Sequence, residues 1–215
     1  MQKSEVKASL RRKLAEVARH FSPSECTLAS EAMCIRLRQQ SIWREARSIL
    51  FFWPMPGEPD LRPLLEEALS AGKLVALPRY LAGEKKYIAC RIANTSEVQP
   101  GYYGIGEPGA ECPVVRLKEL DLFLVPGVGF SLNGGRLGRG KGYYDHLLAG
   151  VRGLKCGVAF DWQVTFDFPL EEHDIRLDCI LTPTRWHVVS GGDKLSPARK
   201  NGGKLPPLQG SPRRL

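Results

Sequence analysis

Apolar residues recur at helical spacing in the N-terminal segment. Val6, Leu10, Leu14, Val17 and Phe21 fall at steps of 4, 4, 3 and 4, which is one face of an amphipathic helix. Ser22-Pro23-Ser24-Glu25 has the form of a capping box with proline at the first helical position. A second helix is expected from there to about Gln40. The pattern then changes. Residues 48–53 (SILFFW) are a short apolar run stopped by Pro54-Met55-Pro56-Gly57, which predicts a buried strand. Residues 61–71 return to helical spacing and end at Gly72. Residues 74–77 predict a second strand that stops before Pro78, and residues 87–92 a third. Leu122–Val125 (LFLV) is a further apolar strand, closed by Pro126-Gly127. A glycine-rich loop leads into a short helix near 143–148, and residues 156–160 and 179–181 predict two more strands.

Strands alternating with helices predict an α/β fold: a three-layer αβα single domain with a mostly parallel sheet. That domain is expected to span residues 1–189. Residues 190–215 are rich in Gly, Pro, Ser and Lys, have little to bury, and are expected to form a disordered basic tail. A chain ending at Val189 should therefore keep its fold and activity.

Composition narrows the class. The chain has 215 residues, of which 43% are apolar, enough for a real core. No apolar run approaches the ~20 residues of a membrane span, and the charged N-terminus has no apolar signal region. The formal charge is +8, but +5 of it falls within residues 191–215. The rest is nearly balanced, so the high isoelectric point argues poorly for a nucleic-acid partner. The tail also has no aromatic residue on which a base could stack. Cys26, Cys34, Cys90, Cys112, Cys156 and Cys179 include no CxxC pair. They are expected to be small buried apolar side chains in a reducing cytoplasm.

The most informative segment is 125–145, VPGVGFSLNGGRLGRGKGYYD. It follows a buried strand and opens a helix, where open α/β sheets bind ligands. Gly138, Gly140 and Gly142 alternate with Leu137, Arg139 and Lys141. Glycines let backbone N–H groups approach an anion closely, and a following helix N-terminus adds its positive end. Arg136, Arg139 and Lys141 put three cations in six residues. Gly135 to Lys141 even spells GxxxxGK, but the next residue is Gly142, where a Walker loop needs Ser or Thr for magnesium. A metal would need another ligand. Asp145 and, beyond His173, Asp174 offer carboxylates that would suit Mg²⁺ together with phosphate oxygens. Asp145 equally suits the first turn of a helix, and Tyr143 and Tyr144 equally suit a core.

At this segment the chain resembles the 5-formyltetrahydrofolate cyclo-ligases. The resemblance rests on PGVGF and RLGRGKGYYD, flanked by Lys7-Ala-Ser-Leu-Arg11, Glu58, Gly104-Ile-Gly-Glu107-Pro108, Gln163 and His173-Asp174-Ile175. It covers roughly residues 4 to 187. Ser131 departs from the family's usual Asp, and the tail matches nothing in it. The resemblance implies ATP-dependent ring closure: 5-formyltetrahydrofolate becomes 5,10-methenyltetrahydrofolate through a phosphorylated formyl (imidate) intermediate, with release of ADP and phosphate. It implies that Lys7 and Arg11 touch ATP, together with Arg136, Leu137, Gly138, Arg139, Gly140, Lys141, Gly142, Tyr143 and Tyr144. Arg136, Arg139 and Lys141 would be the catalytic cations. Trp53 and Glu58 would hold the folate, along with Arg139, Gly140, Lys141, Gly142 and Tyr143. Asp145 and Asp174 would hold Mg²⁺. The expected partner is the small-molecule folate with its polyglutamates, taken by a monomer with no membrane or nucleic-acid partner. A sugar-phosphate or coenzyme A enzyme of the same architecture would also want a basic glycine loop, but would need neither ATP nor magnesium.

Overall fold

The computed structural model describes residues 2–165, 167–171 and 174–189. The expectations for the 190–215 tail and for His173 lie outside those residues. In chain order the elements are α1 (Lys3–Ala18), α2 (Pro23–Arg38), α3 (Ser41–Glu45), β1 (Ser48–Leu50), α4 (Arg62–Ser70), β2 (Leu74–Leu81), β3 (Lys86–Ile92), β4 (Val98–Pro100), β5 (Gly106–Pro108), β6 (Val114–Val115), β7 (Leu122–Val125), β8 (Gly129–Ser131), β9 (Arg136–Leu137), α5 (Tyr143–Leu148), β10 (Leu154–Val158), β11 (Val164–Thr165), β12 (Cys179–Leu181) and β13 (Trp186–Val188).

The main sheet runs β13-β12-β10-β7-β1-β2-β3-β6. Its five central strands, β12 to β2, are parallel, and β13, β3 and β6 are antiparallel edges. The period of two in the strands decides which face each residue buries. Ile49, Val75, Leu77, Leu122 and Leu124 pack with Met33 and Leu37 of α2, Trp43 of α3, and Leu64 and Leu65 of α4. Their neighbours Leu50, Ala76, Phe123 and Val125 pack on the opposite face with Leu147 and Leu148 of α5 and Phe130 of β8. Both faces are covered, the second by the six-residue α5 and the β8 segment rather than by long helices.

The Ser22 capping box forms as expected: Ser22 Oγ accepts from Glu25 N–H, and the Glu25 carboxylate accepts from Ser22 N–H. Two strand expectations need correction. The regular strand at 48 ends at Leu50, because pairing with β7 stops there and the chain turns out of the sheet toward Trp53. β2 does not stop before Pro78 but continues to Leu81. Past Ala76 its β1 edge is open, and proline is tolerated on an open edge. The N–H of Tyr80, which points the same way as the Pro78 nitrogen, donates to the Glu107 carboxylate instead of a strand.

The amphipathic face of α1 has an unexpected partner. It does not cover the main sheet. Leu14 buries against Leu137 of β9 and Phe168, with Leu10 alongside, and Phe21 is largely exposed on top of Trp162. This docking holds the first helix over the glycine-rich segment.

Candidate active site

An open cleft lies at the C-terminal ends of the parallel strands. Phe52 and Trp53 enter it after β1, Pro78 from β2, and Pro126 and Gly127 after β7. The segment Arg136 to Asp145 forms one side and α1 another, through Lys7 and Arg11. Every residue singled out from the sequence as a catalytic, nucleotide, folate or metal position lines this one cleft.

The glycine loop is built locally. β8 and β9 pair antiparallel, with Phe130 opposite Arg136, and Gly134 has a positive φ in the turn between them. Gln163 ties the loop to the end of β10: its side-chain amide donates to Gly127 and Val128 carbonyls, and its oxygen accepts from Phe160 N–H. Gly140 (φ 99°) and Gly142 (φ 65°) lie in the left-handed region, where a Cβ is penalised. Glycine at positions 140 and 142 is therefore required by the backbone path. α5 is only six residues long. The expected contribution of its dipole is accordingly small, and the charge of the site comes from side chains. Ser131 lies away from the cleft, fully buried, with its hydroxyl on Asn133 Oδ1.

Cations and carboxylates interleave across the cleft. Arg136 is buried, with Nη2 2.9 Å from Asp145 Oδ2, Nη1 donating to Pro126 O, and the guanidinium over the Tyr144 ring. Its Nε is also buried and has no acceptor among the described residues. Arg139 is exposed and reaches Glu58 at 3.0 Å. Glu58 is held from the other side by Met55 N–H. Arg11 donates to Gly138 O at 2.8 Å. Lys7, only 6% exposed, bonds Asp174 at 2.6 Å and Glu171 at 2.8 Å. Burial alone would lower its pKa, but the hydrogen bonds and charges of Asp174 and Glu171 outweigh that and raise it.

Five tyrosines meet at the mouth. Tyr80, Tyr87, Tyr102, Tyr103 and Tyr143 form a chain of ring contacts at 4.9–6.3 Å. The Tyr143 hydroxyl lies 2.9 Å from Tyr103 and 3.2 Å from Tyr80. Those bonds, and then the Lys141 charge, lower its pKa. Lys141 sits 4.7 Å over the Tyr103 ring. Trp53 is half-buried against Gly106, with Arg62 over its ring. The sequence reading found no signal for Tyr80, Tyr103 or Glu171, and no role for the buried carboxylate Glu107. Glu107 lies in the Gly-Ile-Gly-Glu-Pro run, the one local signal that could have marked it.

The chain as a whole is similar to known proteins. The model of the 5-formyltetrahydrofolate cyclo-ligase family matches residues 3–183. The chain belongs to the 5-formyltetrahydrofolate cyclo-ligase family. It is 27% identical over 187 residues to the mouse 5-formyltetrahydrofolate cyclo-ligase, covering 81% of this chain and 92% of that one. It is 34% identical over 147 residues to the cyclo-ligase of Escherichia coli K12, covering 65% of this chain and 80% of its relative. The solved structure of the Aquifex aeolicus 5,10-methenyltetrahydrofolate synthetase superposes with a TM-score of 0.77 at 32% identity, over 94% of this chain and 96% of that one. Cyclo-ligases are ligases of folate one-carbon metabolism that use ATP to convert 5-formyltetrahydrofolate to the methenyl form. Among the described residues no helix is long and apolar enough to cross a membrane.

Proposed function

We propose that this cleft closes the ring of 5-formyltetrahydrofolate by phosphorylating its formyl oxygen. The single observation that carries the reading is Arg136 Nε, a buried donor without an acceptor among the described residues, in a loop whose other cations face the same cleft. A buried donor left bare costs about 1–3 kcal/mol, and a phosphate oxygen would satisfy it. The formyl oxygen attacks the γ-phosphorus of ATP, ADP leaves, and the phosphorylated imidate is formed. Nitrogen 10 then attacks the activated carbon and phosphate departs. Phosphoryl transfer asks a protein for positioning and charge neutralisation, which Arg136, Arg139 and Lys141 supply. Lys7 and Arg11 and the stretch Leu137 to Tyr144 hold the nucleotide. Trp53 stacks on the folate and Glu58 accepts from its amino edge. The six cysteines are all thiols, which suits a reducing cytoplasm.

The residues present fit a magnesium ion. Among the described residues no three His, Cys, Asp or Glu side chains converge. Mg²⁺ bound with a nucleotide, however, usually takes only one or two carboxylates, and phosphates and waters complete its shell. Asp145 and Asp174 are hard oxygen donors on the cleft wall. They sit on adjoining stretches, since Ile175 N–H, next to Asp174, donates to Asp145 Oδ1 at 3.4 Å. When bound, the ion neutralises phosphate charge.

The test is stoichiometry. Mixing protein, Mg-ATP and 5-formyltetrahydrofolate should form ADP, phosphate and the near-ultraviolet absorbance of methenyltetrahydrofolate one-for-one. Full conversion without nucleotide, or in EDTA, would refute the reading. Asp145→Asn should lower activity and raise the magnesium concentration needed for half-maximal rate, with the fold retained by circular dichroism. A wild-type magnesium titration would leave Asp145 as a partner of Arg136 alone.

A further inference from the structure

We propose that Glu107 is the base that takes the proton from nitrogen 10 of the folate as the ring closes. This rests on the ring closure proposed above and assigns a group to a step that reading leaves without one. Glu107 lies in β5, on the cleft wall shared with Trp53, Pro78 and Ile105. It is 5% exposed and wedged in place: a Cβ added at Gly101 would collide with its carboxyl group, and one at Gly106 with the Trp53 indole. Oε2 accepts Tyr80 N–H at 3.1 Å. Oε1 is buried and meets no donor among the described residues.

The contrast with its neighbours is informative. Glu58 has Arg139, Asp145 has Arg136, and Asp174 and Glu171 share Lys7. Glu107 has no ion pair of this kind among the described residues. Arg79, a cation whose charge bears on it, gives Nη1 to the carbonyls of Gly109 and Ala110 instead. A buried acceptor with no protein donor, on the wall of a substrate cleft, is suited to an N–H of the substrate.

The chemistry needs such a group. Nitrogen 10 carries one hydrogen in the substrate and none in the methenyl product. Its lone pair forms the bond to the phosphorylated formyl carbon. The N–H proton then passes to Glu107 Oε1, leaving its electron pair on nitrogen. The carbon–oxygen bond to phosphate breaks with its pair on the phosphate, and the amidinium remains. The proton returns to water when product leaves, and nothing is oxidised or reduced. The titratable and charged groups whose charge couples to Glu107 are Arg79 of β2 and Tyr87 and Cys90 of β3, and Tyr80 meets it only through its backbone N–H. Burial raises the pKa of Glu107, against smaller lowering effects from the Tyr80 N–H and the Arg79 charge. A base must be ionised to act. Ring closure should therefore fall as pH falls, along a limb above the ordinary glutamate range.

Glu107→Gln separates the two halves of the reaction. In rapid mixing with Mg-ATP and 5-formyltetrahydrofolate, the variant should release about one equivalent of ADP per site at near the wild-type rate. Methenyl absorbance should rise at least ~100-fold more slowly and without the acid limb. A methenyl rate within threefold of wild type, or an ADP burst slowed in step with it, would overturn the assignment. If the variant does not fold, the wild type decides. An acid limb on single-turnover ring closure that the ADP burst lacks supports Glu107, and one shared pH profile overturns it. Failure of the underlying reading is distinct, because wild-type protein would then make methenyl product without ADP.

Discussion

Lysine in place of Arg136 is expected to lower kcat by about 10²–10³-fold with the fold intact, the usual cost of losing a preorganised donor at a site of developing charge. The guanidinium makes three kinds of contact at once: Nη2 to Asp145 at 2.9 Å, Nη1 to Pro126 O, and its plane over Tyr144. Of its three nitrogens, Nε alone has no acceptor among the described residues, and it is offered to an incoming phosphate oxygen. An ammonium keeps the charge but has neither the fork nor the stacking plane. It can pair with Asp145 or reach a phosphate, and it loses the fixed geometry of both. Because the charge beside the half-buried Asp145 is kept, the melting temperature should move little. Steady-state kinetics with a thermal melt check this. A kcat within threefold of wild type would mean that Arg136 is only the partner of Asp145, and that the anion is held by Arg139 and Lys141.

The same residue marks where local sequence stops being informative. The glycine loop was legible because its chemistry is contiguous: Gly140 and Gly142 need positive φ, and the cations between them are a few residues apart. The central strands were legible because both faces are buried, giving unbroken runs such as Leu122–Val125. Strands β4, β5, β6, β8, β9, β11 and β13 were not. Each is two or three residues long, too short to show a period, and each is defined by a partner elsewhere in the chain. The continuation of β2 through Pro78 depends on which edge is open, which no propensity reports. In α1 the periodicity identified the helix but not its neighbour. Lys7 and Arg11, one turn apart, do point the same way, yet the Lys7 partners are Glu171 and Asp174, 164 and 167 positions on. Glu107 meets Tyr80 across 27 residues, and Tyr80 meets Tyr143 across 63. Such pairings are made by the sheet, so a reading of spacing finds the loop and misses the wall opposite it.

Lys7→Ala is expected to change both stability and nucleotide use, and the two effects can be told apart. Lys7 makes charge-assisted hydrogen bonds to Asp174 and Glu171 from an almost fully buried position. Breaking a buried pair of this kind costs about 3 kcal/mol. The folded state raises the Lys7 pKa above its ordinary value: burial works against the proton, and the bonds and charges of Asp174 and Glu171 outweigh it. The contribution is therefore fully present below the ordinary lysine range and is lost as pH rises through the higher folded value. The gap in melting temperature between wild type and variant should be constant from neutral to mildly alkaline pH and should close only above the lysine range. The second effect appears with ATP. If the ammonium that bridges Asp174 and Glu171 also meets phosphate when nucleotide enters, its loss removes a contact of about 1.5–3 kcal/mol, and the KM for ATP should rise about 10–100-fold. The KM for folate should change less, because Trp53 and Glu58 on the other wall are untouched. A lower melting temperature with an unchanged KM for ATP would make Lys7 a strut that fastens α1 to the segment around Asp174, and the nucleotide would then be held by Arg11 and the glycine loop without it.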